Sequence, residues 1–489
     1  MRAQERHLPP AASRMSSRAA RRRTAVRRGL RVEPLEQRYL MAVVGRVVED
    51  QVAWGGVNNG DRGSWPSEVV EVGGVSYFSA EDGLHGWELW RILPGATQAQ
   101  MVEDAIPGGG IAAGGVGSYP TKLTNVGGTL YFQASDPLNG SELWRINGSG
   151  QAELVGVDGV VGGISEGSYS AYPSDFTTVG GTIYFAATNT VVGRELWRIN
   201  GLGKAEVVED TMAGGGIRPG VLGSQPRSLT EVNGQLFFRA NDGTTGTELW
   251  RVGSGGIAAL VEDSVPGGGI ASGSYESYPA WLTNFEGTLY FSAFQPEAGV
   301  ELWRVSGSGD AVLVDDTTGG DDGIAPSFAG SYPEGLTASG GTLYFRAANA
   351  LVGYELWKIN GAGVAELVED ALSGGGLNPG NFSSYPNLLT DHQGTLYFSA
   401  TTVNDGAELW RVNSSGVAEI VSRAGGVGIH DGPAGSNPES LTSVGGSLYF
   451  SADDGSQGVE LWRVAASGLA EMVEDSLPDG GLAPLAASS

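Results

Sequence analysis

Glu-Leu-Trp followed by Arg or Lys occurs eight times in this chain of 489 residues, with its tryptophan at Trp90, Trp144, Trp197, Trp250, Trp303, Trp357, Trp410 and Trp462. Successive copies are 52 to 54 residues apart. Nothing else constrains the fold as strongly. Self-similarity at a fixed period of this length marks a repeat architecture, in which each unit leaves an apolar face that only its neighbour can cover. Stacked repeats form one body, which displaces the two to four domains that length alone suggests.

The copy at residues 329–370 shows the anatomy of the unit. Ser331-Tyr332-Pro333 leads into Gly335-Leu336-Thr337, Gly340-Gly341 precedes Thr342-Leu343-Tyr344-Phe345, and Tyr354-Glu355-Leu356-Trp357 follows a short polar link. Asn360-Gly361-Ala362-Gly363 then turns into Ala365-Glu366-Leu367-Val368-Glu369-Asp370. These are short runs rich in Leu, β-branched and aromatic residues, each bounded by turn residues, and they read as strands a, b, c and d. Gly-Gly and Asn-Gly links accept positive φ and favour tight hairpins. The longest link, about fifteen residues, runs from d to the next a. A chain crossing from the outer edge of one β-propeller blade to the inner strand of the next needs such a link. A β-helix has shorter coils and lacks these hairpins. The expectation is therefore an all-β, eight-bladed propeller of four-stranded antiparallel blades over residues 43–489, folding as a monomer, with residues 1–42 outside it and disordered. Strand d has extra copies near Val47–Asp50 and Glu471–Asp475, so the N-terminal copy is expected to supply or extend the edge of the final blade.

Composition narrows the chemistry. Gly is abundant, 80 residues, but it sits at fixed places in the repeat, which points to turns rather than disorder. There is no Cys, which excludes disulfides and thiolate chemistry, and the four His share no repeat position. Residues 1–42 hold eleven Arg against Glu5, Glu33 and Glu36, so with a net charge of −26 for the whole chain the body carries about −34. A body this acidic repels nucleic acid, and a nucleic-acid role for the basic arm is set aside with it; cations or neutral ligands are the more natural partners. No apolar run reaches the length of a membrane span.

Val32-Glu33-Pro34-Leu35-Glu36-Gln37-Arg38-Tyr39-Leu40-Met41-Ala42 resembles the LEPLEQR-x-LL signature that opens many large exported bacterial proteins, with Val for the first Leu and Tyr39-Leu40-Met41 at the Leu-rich end. The repeat itself resembles the bacterial ELW-x-x-DGT family of secreted and surface proteins. Gly-Thr-Leu-Tyr-Phe at 128–132, 287–291 and 394–398 and the Glu-Leu-Trp copies carry that likeness, while the Asp-Gly-Thr element is reduced to Asn-Gly at 147–148, 200–201 and 360–361. Together these resemblances imply an exported, extracellular or cell-surface location, and support the fold more than a mechanism.

Each recurrent residue has a structural reading beside a functional one. Trp of Glu-Leu-Trp is expected in the inter-blade core. The Arg or Lys after it recurs in every unit, as a single catalytic centre would not require, so ion pairs or stacking on aromatics are expected. The Asp-Gly links at 82–83, 242–243, 405–406 and 454–455 suggest the Asp-box of sialidases, but the spacing differs and a hairpin turn is preferred. Acidic pairs close strand d, and with the Gly runs after them Asp104, Asp210, Asp263, Asp316 and Asp370 are candidate Ca²⁺ ligands, though no EF-hand or nonapeptide pattern is present. The aromatic of Ser-aromatic-Pro, at Tyr119, Tyr172, Tyr278, Tyr332 and Tyr385 as well as Trp65, can line the channel mouth and stack on sugars or can wedge between blades.

Because no singular polar cluster stands out, the sequence reads as a non-enzymatic exported binding or scaffold module. Its ligand, a glycan, protein or cation, is placed on the face formed by the b–c and d–a links, which is expected to be strongly negative. The rival is an extracellular propeller hydrolase or lyase acting on glycans, whose site needs residues that occur once. Arg218, His392 and His430 are such residues.

Overall fold

The computed structural model describes residues 57–58 and 63–473, apart from 107–108, 113, 160–161, 212–214, 254, 264–267, 272–274, 306, 308, 318–322, 326–329, 372–374, 379 and 381. The segment 1–42, the N-terminal strand-d copy and Glu474-Asp475 lie outside the described residues. The described chain is all-β. It forms eight four-stranded antiparallel sheets, each from consecutive strands in the order a-b-c-d, an eight-bladed β-propeller. Blade 1 comprises β1 (Ser67–Val72), β2 (Val75–Glu81), β3 (Trp87–Ile92) and β4 (Ala99–Met101), and the pattern repeats to β29 (Glu439–Val444), β30 (Ser447–Asp453), β31 (Val459–Val464) and β32 (Ala470–Met472). The final blade thus has a fourth strand of its own.

Local chemistry sets the hairpins. Gly73 and Gly74 join β1 to β2 at φ 59° and 81°, both in the left-handed region that a two-residue turn matching strand twist requires. The b–c links close on Asx turns: Asp82 Oδ1 accepts the Leu84 and His85 amides, and Asp242 Oδ1 those of Thr244 and Thr245. The Asp-Gly motif is a turn, as its spacing suggests.

The core lies between blades. Each blade offers Leu, Phe and Ala of strand b and Trp of strand c to the Tyr and Leu of the blade before it; Leu130, Phe132, Ala134 and Trp144 pack on Val72, Tyr77, Leu89 and Ile111. Seven clusters of this kind link the eight blades in sequence. The corresponding face of blade 1, with Phe78 and Trp90, is covered by Val57 among the described residues, and Leu461 of blade 8 is only half-buried where the Leu of every other Glu-Leu-Trp is fully buried. All eight tryptophans are buried, at 4% exposure or less, and five donate Nε1–H to a strand-b Ala carbonyl.

The recurrent Arg ties blades together instead of forming a site. Arg91, Arg145, Arg198, Arg251 and Arg411 each donate Nη1–H to a Gly carbonyl in the c–d turn of the following blade, at 2.7 to 3.3 Å. Arg145, Arg198 and Arg411 also pair with a strand-d Glu of their own blade. A hydrogen bond from a charged donor contributes about 1.5–3 kcal/mol. Arg251→Ala should therefore lower the urea-unfolding free energy by about 1–2 kcal/mol; an unchanged midpoint would show that this tie does no work.

The recurrent Glu has a role that its spacing alone does not reveal. In blades 1 to 7 it is buried and binds the d–a link that follows it. Glu355 accepts the Leu377 amide at 2.9 Å, the Ser384 amide at 2.9 Å and the Ser384 hydroxyl at 2.7 Å. The Ser of Ser-aromatic-Pro is thus the buried anchor, and its aromatic neighbour is left outside.

Candidate functional site

The aromatics stand on the face formed by the d–a and b–c links. Trp65, Tyr119, Tyr172, Tyr278, Tyr332 and Tyr385 are each about half exposed, 46–59%. All have φ between 44° and 48°, a region that costs a bulky L-residue roughly 1–2 kcal/mol. The conformation is held at the amide, although Pro follows each: the Tyr119 amide donates to the Trp87 carbonyl of the preceding blade, as Tyr332 does to Val300. The two open readings of these aromatics resolve toward exposure. Tyr385 is a partial exception, because it stacks on Tyr354 at 5.6 Å, with Arg346 over the opposite ring partner at 5.7 Å and paired with Glu334.

A second strained position follows three residues later. Glu68, Lys122, Asp175, Ser228, Trp281, Leu388 and Ser440 have φ of 55–58°, at a bulge where the register of each inner strand shifts against strand b. A bulge bends the strand and re-aims a side chain. Strained positions that persist are held by their surroundings and concentrate at functional sites. Below them the inner strands are tied blade to blade, as by Thr177 Oγ1 to the Leu229 carbonyl at 3.1 Å.

The eight copies form an internal comparison. Framework positions barely change, whereas the positions at this mouth differ from blade to blade. The first residue of the inner strand is Ser67, Thr121, Ser174, Arg227, Ala280, Glu334, Asn387 or Glu439, and its strand-b partner is Ser79, Gln133, Ala186, Arg239, Ser292, Arg346, Ser399 or Ser451. Residues of differing chemistry are therefore brought together here, Arg227 occurring once in its column and Arg239 recurring only as Arg346. Lys122, Arg194, Arg227 and Arg239 fall on blades 2 to 4, a local group of cations on the face expected to be strongly negative. Sequence reading missed this cluster because the four residues occupy different repeat positions and the body as a whole is acidic.

Blade 5 adds a cavity of about 480 Å³ lined by Tyr275, Glu276, Ser277, Tyr278, Phe294 and Val300. Glu276 replaces the Gly or Ser found at this position in the other described links, and Gly246, with φ 85°, leaves the space its side chain occupies. A hydrogen bond from Thr247 holds the Glu276 carboxyl below the usual range. Its bond to Tyr278 raises the phenol in turn, so the pair sets an ionised acceptor beside a protonated donor.

The other candidates are not brought together. Asp104, Asp210, Asp263, Asp316 and Asp370 fall on separate blades, and Glu103, Glu209, Asp315 and Glu369 beside four of them fasten the Gly-run link, as Glu209 accepts the Gly215 and Gly216 amides at 3.1 Å. Among the described residues no group of three or more His, Cys, Asp or Glu is placed to hold a metal ion. Arg218 bonds Asn241 between blades 3 and 4, His430 abuts Gly455 between blades 7 and 8, and His392 meets Ser443 at the a–b end, the opposite face.

No family model and no curated protein matches the chain. Among solved structures it is similar to a puromycin hydrolase (15% identity, 72% of this chain and 53% of that one, TM-score 0.32) and to prolyl endopeptidases (11%, 79% and 54%, TM-score 0.35). It is also similar to the BP39L lectin of Burkholderia pseudomallei (11%, 72% and 96%, TM-score 0.31). The chain spans about half the length of these peptidases. The expectation of a non-enzymatic module is set aside, since several of these neighbours are peptidases, although Arg218, His392 and His430, the singular residues named for an enzyme site, are not brought together. The likeness concerns the fold, and the neighbours' own activities are not carried to this chain.

Proposed function

We propose that this protein is an extracellular propeller hydrolase or lyase acting on glycans, with the aromatic mouth as its substrate surface. The observation that carries this reading is the half-exposed ring of strained aromatics around residues that differ from blade to blade, with the Glu276–Tyr278 pair in the blade 5 cavity. Flat apolar rings with polar edges suit the faces of sugars. Glu276 serves as the base that takes a proton, from water in hydrolysis or from the sugar carbon in elimination, and Tyr278 gives one to the departing glycosidic oxygen. The resemblance of residues 32–42 to an export signature supports a location outside the cell.

The test is a panel of glycosides and polysaccharides, followed by release of reducing ends and by absorbance of unsaturated products. Turnover of at least one glycan is expected, with Glu276→Gln reducing kcat about 10²–10⁴-fold and Tyr332→Ala raising KM while the melting temperature holds. No turnover across the panel, or full activity in Glu276→Gln, overturns the reading.

A further inference from the structure

We infer that Lys122, Arg194, Arg227 and Arg239 form a subsite for the anionic groups of an acidic glycan, an inference that rests on the glycan reading above. Arg227 and Arg239 are directly opposed residues of β13 (Arg227–Val232) and β14 (Gln235–Asn241). Like charges placed opposite each other across a strand pair repel, and neither residue forms an ion pair among the described residues. Arg194 reaches over from blade 3. Its Nη1 donates to the Tyr172 carbonyl at 3.1 Å, and its Nη2 to the Ser174 hydroxyl, 3.8 Å from Asp175 Oδ2. Lys122 Nζ is fixed at 3.0 Å from the Pro173 carbonyl and 3.1 Å from Gln133 Oε1.

The four cations repel one another within a body that carries a large negative charge. Burial first, and then a neighbouring cation, lower the proton affinity of Lys122 and of Arg239, through Arg194 and Arg227 respectively. Arg194 is lowered by burial, opposed by Asp175, and then by Arg227. The carboxylates facing this group are Glu68 and Asp175, too few to neutralise it. Lys122 is held by neutral carbonyl and amide oxygens, which fix its direction without cancelling its charge, and Arg194 by a carbonyl and a hydroxyl with Asp175 3.8 Å away as its one counter-charge among the described residues. A bound anion would relieve the repulsion and accept the N–H groups that remain free, and charge-assisted bonds of this kind are the strong ones. The aromatic flank consists of Tyr172 on one side and of Tyr278 and Trp281 on the other; Trp281 is half exposed at the blade 5 bulge. The arrangement matches a sugar chain whose rings lie on aromatics and whose carboxylate or sulfate groups point to blades 2 to 4. Its charge also singles out such a chain from neutral glycans, which the rest of the acidic surface does not repel.

Three probes decide the point by calorimetric titration of the full chain: a uronic-acid oligosaccharide, its carboxyl-reduced neutral counterpart, and a sulfated oligosaccharide of the same length. The charged probes should bind about ten-fold or more tighter than the neutral one, and the advantage should shrink between 50 and 200 mM salt. Arg227→Ala together with Arg239→Ala should abolish that advantage, leave neutral binding unchanged and leave the melting temperature unchanged or raised. Lys122→Met serves as a second variant should the double substitution disturb folding. A preference for the uronate alone or the sulfate alone identifies the anionic group, and both support the subsite. Equal binding of charged and neutral probes sinks the subsite but leaves the glycan reading intact, whereas failure of all three probes sinks both. Equally tight binding of single-stranded DNA would reduce the cluster to a nonspecific charge patch and overturn the inference.

Discussion

Glu355→Ala should destabilise the propeller by about 3–5 kcal/mol, an unusually large loss for one polar side chain. Glu355 is fully buried, and its carboxyl receives the Leu377 amide, the Ser384 amide and the Ser384 hydroxyl. Removing it orphans three buried donors, each at about 1–3 kcal/mol, in a space that water reaches poorly. The loss is expected at the link from β24 (Ala365–Leu367) to β25 (Asn387–His392), which carries Tyr385 to the mouth. Glu355→Gln should cost less, because an amide oxygen can still accept while its NH₂ donates to Ser384 Oγ. Urea unfolding with limited proteolysis of this link provides the measurement. If the Ala variant unfolds with the native midpoint and resists protease equally, the Glu is not an anchor. If Ala and Gln cost the same, the bond count is not what sets the energy.

The fold was legible because the repeat states it eight times. Period, hairpin residues and a long d–a link each pointed to four-stranded blades, and Trp of Glu-Leu-Trp lies in the inter-blade core where it was expected. The role of that Glu was not legible. A carboxylate two residues from a buried Trp on the same strand face must itself be buried, but only the structure shows what satisfies it. The signal lay twenty-nine residues further on in the chain, in the Ser of Ser-aromatic-Pro, as in Glu248 with Ser277. Attention fell on the aromatic instead, since a large ring is the usual candidate for either packing or binding.

The mouth was hidden for a different reason. Net charge averages over the whole body, so a local group of cations vanishes in it. Moreover, Arg194 is the second residue of a strand c, Lys122 the second and Arg227 the first of a strand a, and Arg239 lies in a strand b, so no motif joins them. Their common feature is position: all depart from the repeat at the same end of their blades. Comparing the eight copies with one another, column by column, exposes this before any coordinates exist. The useful columns are the variable ones, because the fixed columns describe only the framework that every blade shares.

Stability should be greatest in mildly acidic solution and fall as pH rises from about 4.5 towards 7 and 8, levelling off above, contrary to proteins whose carboxylates are ion-paired. Burial pushes the Glu142 carboxyl up to about 8, and Glu248, Glu301 and Glu355 to about 7, against the pull of their hydrogen-bond donors. Between the unfolded value of 4.5 and these folded values, the native chain binds more protons than the unfolded one. Unfolding free energy then decreases with pH. The stabilisation is complete below about 4.5 and is lost as pH rises through 7 and 8, each carboxyl contributing on the order of 1–3 kcal/mol. Asp82, Asp242 and Asp454, lowered by their turn hydrogen bonds in spite of burial, act in the opposite sense and limit stability on the acid side. Glu142 is the revealing member. Its link carries Ala171 where other links carry Ser, so it lacks the hydroxyl that Glu248 receives from Ser277 at 2.6 Å. Ala171→Ser should supply that donor in a site already shaped for it, favour the ionised carboxyl and stabilise the protein by about 1 kcal/mol at pH 8, with less gain at pH 5.5. Glu142→Gln should remove one proton's share of the slope between these two pH values. The measurement is melting temperature and urea midpoint from pH 5.5 to 8.5 for the three proteins. A stability that rises over this range, or an Ala171→Ser gain that is larger in acid than in base, would show that these carboxyls are already ionised at pH 5.5 and that their donors outweigh burial.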